Sequence, residues 1–70
     1  MVRDEEIYPV DTVVRLKKTG AFAIIRQQAF LRDGKSFLHY LGEVENKPPG
    51  LYALYHDEIE LECLPIEKEK

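Results

Sequence analysis

Asp33-Gly34, set between Ala29-Phe30-Leu31 and Phe37-Leu38, constrains this chain more than any other pair of residues. Asp-Gly tolerates the positive φ that both central positions of a two-residue reversal need. Apolar runs on either side are what two antiparallel strands require. Residues 27–43, QQAFLRDGKSFLHYLGE, therefore read as a β-hairpin with Asp33 and Gly34 at its tip. Counting outward pairs Leu31 with Ser36, Phe30 with Phe37, Ala29 with Leu38, Gln28 with His39, Gln27 with Tyr40, Arg26 with Leu41 and Ile25 with Gly42. Cross-strand partners share a face. One face is then Ala23, Ile25, Gln27, Ala29, Leu38, Tyr40, Gly42 and Val44; the other is Ile24, Arg26, Gln28, Phe30, Phe37, His39, Leu41 and Glu43. A slip of one residue would exchange the two sets relative to each other.

The rest of the chain arranges itself around that hairpin. Residues 1–8 are expected to be a flexible arm and residues 66–70 a disordered tail, leaving 9–65 as the single folded unit. Val10 to Lys17 alternates with period two, placing Val10, Thr12, Val14 and Leu16 inward, and is expected to be the first strand. Ala21 to Leu31 is the second. Asn46-Lys47-Pro48-Pro49-Gly50 is a turn by composition, because two prolines do not fit a central strand. Leu51 to Tyr55 reads as a short fourth strand, His56-Asp57-Glu58 as a corner or one 3-10 turn, and Ile59 to Cys63 as a fifth strand. In that last strand Ile59, Leu61 and Cys63 are expected inward. Five short strands without an intervening helix predict a small antiparallel barrel or sandwich.

Certain phrases carry a resemblance. Asp11-Thr12-Val13-Val14-Arg15-Leu16, then Thr19-Gly20 and Ala23-Ile24-Ile25, looks like the opening of SH3-like barrels of the KOW and Tudor kind. Tyr55-His56-Asp57-Glu58-Ile59-Glu60-Leu61 is similar to their short 3-10 turn into a last strand. The resemblance spans roughly residues 10–64, with Val10 where an opening glycine is usual and Ala23 where a second glycine often stands. It implies an all-β, five-stranded antiparallel SH3-like barrel whose first strand lies beside its last. Arg15 and Lys17 would then share an outer face with Glu60 and Glu62.

That pairing bears on the charge. Residues 15–35 hold six Lys or Arg against one Asp, while residues 36–70 hold three Lys against eight Asp or Glu. Such asymmetry fits a binding surface; it fits equally two strands that neutralise each other. Cys63 is the single cysteine, so no intrachain disulfide forms, and a reducing compartment is the expectation. The acidic start without an apolar run suggests no signal peptide. No stretch reaches the ~20 apolar residues of a membrane span, so the expected location is cytoplasmic.

Catalytic signals are weak. Cys63 sits at an inward parity, which suits an inert buried thiol, and His39 and His56 have no zinc-like spacing with other ligands. No enzyme activity, metal or cofactor is expected. One feature stands out. Phe30, Phe37, His39 and Leu41, with Ile24 and with Tyr55 from the fourth strand, make the outer hairpin face more apolar than a solvent face requires. Three readings compete: a bent strand that turns Phe30 and Phe37 into a second layer of core, a homodimer or partner surface rimmed by Arg26, Arg32 and Lys35, or an aromatic and basic platform for bases. The expected function is a non-catalytic interaction module, binding protein or a second copy through Phe30, Phe37, His39, Leu41 and Tyr55. The alternative is RNA or DNA binding through the basic residues of 15–35. A third possibility is a subunit of a larger complex. A surface role for Phe37 predicts that Phe37→Ser leaves the fold intact.

Overall fold

The computed structural model describes residues 4–65. The expectations for residues 1–3 and for the tail 66–70 lie outside that range. Five strands, β1 Val13–Leu16, β2 Phe22–Phe30, β3 Phe37–Val44, β4 Tyr52–Leu54 and β5 Ile59–Cys63, form one antiparallel sheet in the order β4-β3-β2-β1-β5. A 3-10 turn, His56–Glu58, joins β4 to β5, as the sequence predicts. The first strand lies beside the last, with Arg15 paired to Glu60 and Leu16 to Ile59.

Alternation explains the core. Val14, Ala23, Ile25, Tyr40, Val44, Leu54 and Ile59 all point to one side of the sheet and are buried together. Thr12 is buried with them. Leu16, Ala21, Tyr52, Phe37 and, from outside the sheet, Ile7 and Tyr8 close over its margins. Removing such side chains from water contributes about 1.5–3 kcal/mol each when burial is complete, so a 70-residue chain depends on nearly all of them.

The hairpin departs from simple counting in a specific way. Phe30 pairs with Phe37 as expected, but Ala29 then meets His39, Gln28 meets Tyr40 and Gln27 meets Leu41. Leu38 is an extra residue on β3. On β2 Arg26 is the compensating extra residue, and the expected register returns at Ile25 and Gly42. Each bulge puts two residues opposite one and bends its strand. Between them, Gln28 and Tyr40 face the core side while Gln27, Ala29, His39 and Leu41 face outward. The expected grouping of Gln27, Ala29 and Leu38 with the core face is corrected accordingly.

The reversal itself stays at residues 33 and 34 but is wider than a two-residue turn. Leu31 N–H donates to Ser36 O at 2.9 Å, and Gly34 N–H donates to Leu31 O at 2.8 Å. Within this reversal Gly34 alone has positive φ, at 71°. The Asp33 carboxylate replaces the missing ladder: Oδ1 accepts from the Lys35 and Ser36 amides at 2.7 and 2.9 Å, and Oδ2 from the Ser36 hydroxyl at 2.8 Å. An Asp side chain that bonds its own following backbone makes a turn without needing a left-handed φ.

Two further expectations change. β1 begins at Val13 rather than Val10, because Pro9 to Thr12 is a turn in which Asp11 takes a φ of 78° and Thr12 N–H donates to Pro9 O at 3.3 Å. In the described part of residues 1–8, Asp4–Glu6 is a 3-10 turn, and Ile7 and Tyr8 pack against the core. Cys63 is exposed, not buried. Val13 pairs with Cys63 but Val14 with Leu61, so Glu62 is a bulged residue that turns Cys63 to the outer side.

Candidate functional site

The two bulges divide the aromatic patch that the sequence suggests. Phe30 and Phe37 meet edge to face at 5.9 Å and 81°, and Phe37 continues onto Tyr40 at 4.7 Å. Both belong to the core side of the hairpin, as a bent strand requires, and Phe37 packs on the core. His39, Leu41 and Tyr55 lie on the other side. There the His39 ring sits 5.5 Å from Tyr55, and Leu41 pairs with Gln27 on one flank and Ala53 on the other. The structure therefore assembles three of the five apolar site residues as an outer face and gives the other two to a second location.

At the hairpin end apolar surface is unusually open. Phe30, Leu31, Leu38 and Tyr55 are 39%, 49%, 47% and 49% exposed. Arg32 and Lys35 flank the tip, and neither takes part in an ion pair among the described residues. Arg26 differs. Its Nη1 lies 2.9 Å from Asp11 Oδ1 and its Nε 3.6 Å from Glu43 Oε2, so the bulged arginine is tied to two carboxylates. Arg15 is similarly engaged, 3.2 Å from Glu62 and over the Phe22 ring at 5.5 Å. Exposed pairs of this kind stabilise by about 0–1 kcal/mol, yet they neutralise two of the six cations in residues 15–35.

The second location has the more ordered chemistry. The Tyr40 hydroxyl accepts Tyr8 N–H at 2.9 Å and is 2.9 Å from His56 Nδ1. Since its oxygen already accepts from Tyr8, the phenol proton is free to go to a neutral His56. Burial pushes the Tyr40 pKa above 10.0, which keeps the hydroxyl protonated as that donor. Tyr8 O accepts from Gln28 Nε2 at 2.7 Å, and the Tyr8 ring stacks on Tyr40 at 5.9 Å and 13° and leans on His56 at 5.1 Å. Sequence reasoning missed this group because its members lie 16 to 32 positions apart. The sole local signal is an aromatic before proline, Tyr8-Pro9, in an otherwise acidic segment.

An open groove of about 630 Å³ also runs between the β1–β2 and β3–β4 connections. Leu16, Val44, Tyr52 and Leu54 line it beside Lys18 and Lys47, and Lys47 Nζ stands 5.4 Å above the Tyr52 ring. Among the described residues, no group of three His, Cys, Asp or Glu is arranged to hold a metal ion, and no helix is long and apolar enough to cross a membrane. Compared with known proteins, the chain matches no family model, no curated protein and no solved structure at a significant level.

Proposed function

We propose that the chain is a small SH3-like barrel acting as a non-catalytic protein-binding module, docking through the outer hairpin face. The strand order β4-β3-β2-β1-β5 with a 3-10 turn before the last strand supports the SH3-like reading. One observation carries the function: His39, Leu41 and Tyr55 form an aromatic and aliphatic row on the sheet face that the core leaves uncovered, continued toward a tip with exposed Leu31 and Leu38. Aromatic side chains anchor interfaces because they offer large contact area at small entropy cost. Arg32 and Lys35, without carboxylate partners among the described residues, suit a partner surface that is apolar with acidic margins. The ion pairs of Arg26 and Arg15 leave less free positive charge for a phosphate backbone, which favours protein over nucleic acid.

Light scattering over a concentration series separates self-association from capture of a different protein. Capture from nuclease-treated extract is then compared between the native chain and Leu41→Ser/Tyr55→Ser, with circular dichroism as the fold control. A partner retained by the native chain and lost by the variant supports the proposal. Equal retention overturns it, and capture abolished by nuclease transfers the function to nucleic acid.

A further inference from the structure

Ile7-Tyr8-Pro9 is held the way a domain holds a foreign peptide. Its central residue has both backbone groups bound by side chains: Tyr8 N–H by the Tyr40 hydroxyl and Tyr8 O by the Gln28 amide. Its ring lies flat on Tyr40 and against His56. These hosts come from three separate elements, β2, β3 and the 3-10 turn, and the pairing of Tyr40 with Gln28 and Leu54 positions the acceptor and the aromatic platform independently of the segment. Grooves open on both sides of the segment. Ile7 and Pro9 line one with Phe30 and Lys35, and Tyr8 lines another with His56 and Leu64. A single turn, closed by Thr12 N–H on Pro9 O, connects the segment to β1.

We infer that the face made by Tyr40, Gln28 and His56 is a binding site for an extended peptide bearing an aliphatic-aromatic-proline tripeptide, and that Ile7-Tyr8-Pro9 occupies it as a tethered competitor. Proline after the aromatic residue biases that residue toward the extended backbone that exposes its N–H and C=O to the clamp. Tethering places the internal ligand at an effective concentration of about millimolar or more. A peptide in trans then binds with its intrinsic affinity reduced by the fraction of molecules whose site is open. The site lies opposite the His39, Leu41 and Tyr55 face, so its failure leaves the function proposed above standing.

The probe is a fluorescent peptide with the sequence of residues 5–10, Glu-Glu-Ile-Tyr-Pro-Val, titrated by anisotropy into the full-length chain. Tyr8→Ala removes the internal ring, whereas Tyr8→Phe keeps it. The expected result is at least about tenfold tighter binding to Tyr8→Ala than to the native chain or Tyr8→Phe, and loss of that gain when Gln28→Ala is added. A folded Tyr8→Ala chain that binds no better than the native one overturns the inference. Because Tyr8→Ala could unfold, the amide spectrum of the native chain is also followed with excess peptide. Shifts confined to Tyr8, Gln28, Tyr40 and His56 support a competed site, and an unchanged spectrum rules it out. Sedimentation of the native chain as an arm-exchanged dimer would also overturn the inference, by seating the segment in a neighbouring copy.

Discussion

Leu38 and Arg26 stand one residue outside the hairpin ladder on opposite arms, and their offsets cancel: Phe30 meets Phe37 beyond one, and Ile25 meets Gly42 beyond the other. Relative to simple counting, residues 27–30 of β2 and Phe37 of β3 change face. Gln28, Phe30 and Phe37 thereby join Tyr40 on the Tyr8 side, while His39 and Leu41 keep the outer side. A single hairpin thereby presents two chemically different surfaces.

Adjacent residues at the first bulge should respond unequally to truncation. Phe37 packs on Tyr40 and the core, so Phe37→Ala is expected to cost about 2–3 kcal/mol, below the range for a fully buried ring because Phe37 is half-buried. Leu38, nearly half exposed and outside the ladder, should lose no more than about 0.5 kcal/mol as Leu38→Ala. Urea unfolding of the two variants decides this; equal losses would contradict the assigned directions.

Gly42 is constrained by space, not by conformation. A Cβ there would press on the Ile24 carbonyl oxygen and stand 2.9 Å from Leu54 Cδ1. Backbone cannot yield as a flexible side-chain end does, so Gly42→Ala is expected to destabilise by about 1–3 kcal/mol. Thermal unfolding should show a fall of several degrees, and an unchanged midpoint would mean that β3 has room to shift.

Thr12 offers a gain instead. It is fully buried, and its Oγ1 finds no hydrogen-bond partner among the described residues. A buried hydroxyl without a partner costs about 1–3 kcal/mol. Thr12→Val replaces it with a methyl group of similar size in an extended segment, where both residues are at ease. The denaturation midpoint should rise by the equivalent of about 1 kcal/mol.

Much of this was readable in advance because local chemistry decides it. Ile59-Glu60-Leu61-Glu62-Cys63 lies between a corner and Pro65, and β5 has the expected bounds. Asp33-Gly34 holds the reversal, although through the Asp33 carboxylate and not through two positive φ angles. Neither hairpin bulge was readable. Phe37-Leu38-His39-Tyr40-Leu41 is apolar or aromatic throughout, so a period-two pattern runs through it unchanged whichever residue is extra. The bulge at Glu62 hid the exposure of Cys63 for a similar reason: parity counts residues, not ladder steps. The docked segment was invisible because the Tyr40 hydroxyl and the Gln28 amide, not Tyr8's neighbours, hold it.

The Asp33 turn makes the hairpin tip sensitive to acid. The Ser36 amide foremost, then the Lys35 amide and the Ser36 hydroxyl, donate to the carboxylate and hold its pKa below the ordinary 3.8. All three bonds favour the charged form, so the unfolded chain takes up the proton more readily than the folded one. The contribution to stability is therefore complete above pH 3.8 and fades as the pH falls toward and through the lowered folded value. Carboxyl carbon NMR should place the Asp33 midpoint under 3.8, and Lys35 and Ser36 amide exchange, corrected for its intrinsic pH dependence, should accelerate over the same window. Asp33→Asn keeps one carbonyl acceptor for the amides but turns an amide donor toward the Ser36 hydroxyl, so this variant should lose the pH dependence and keep a looser turn. A midpoint at or above the ordinary value would show that solvent competes successfully for the carboxylate, and the six residues from Leu31 to Ser36 would then owe their shape to Gly34 alone.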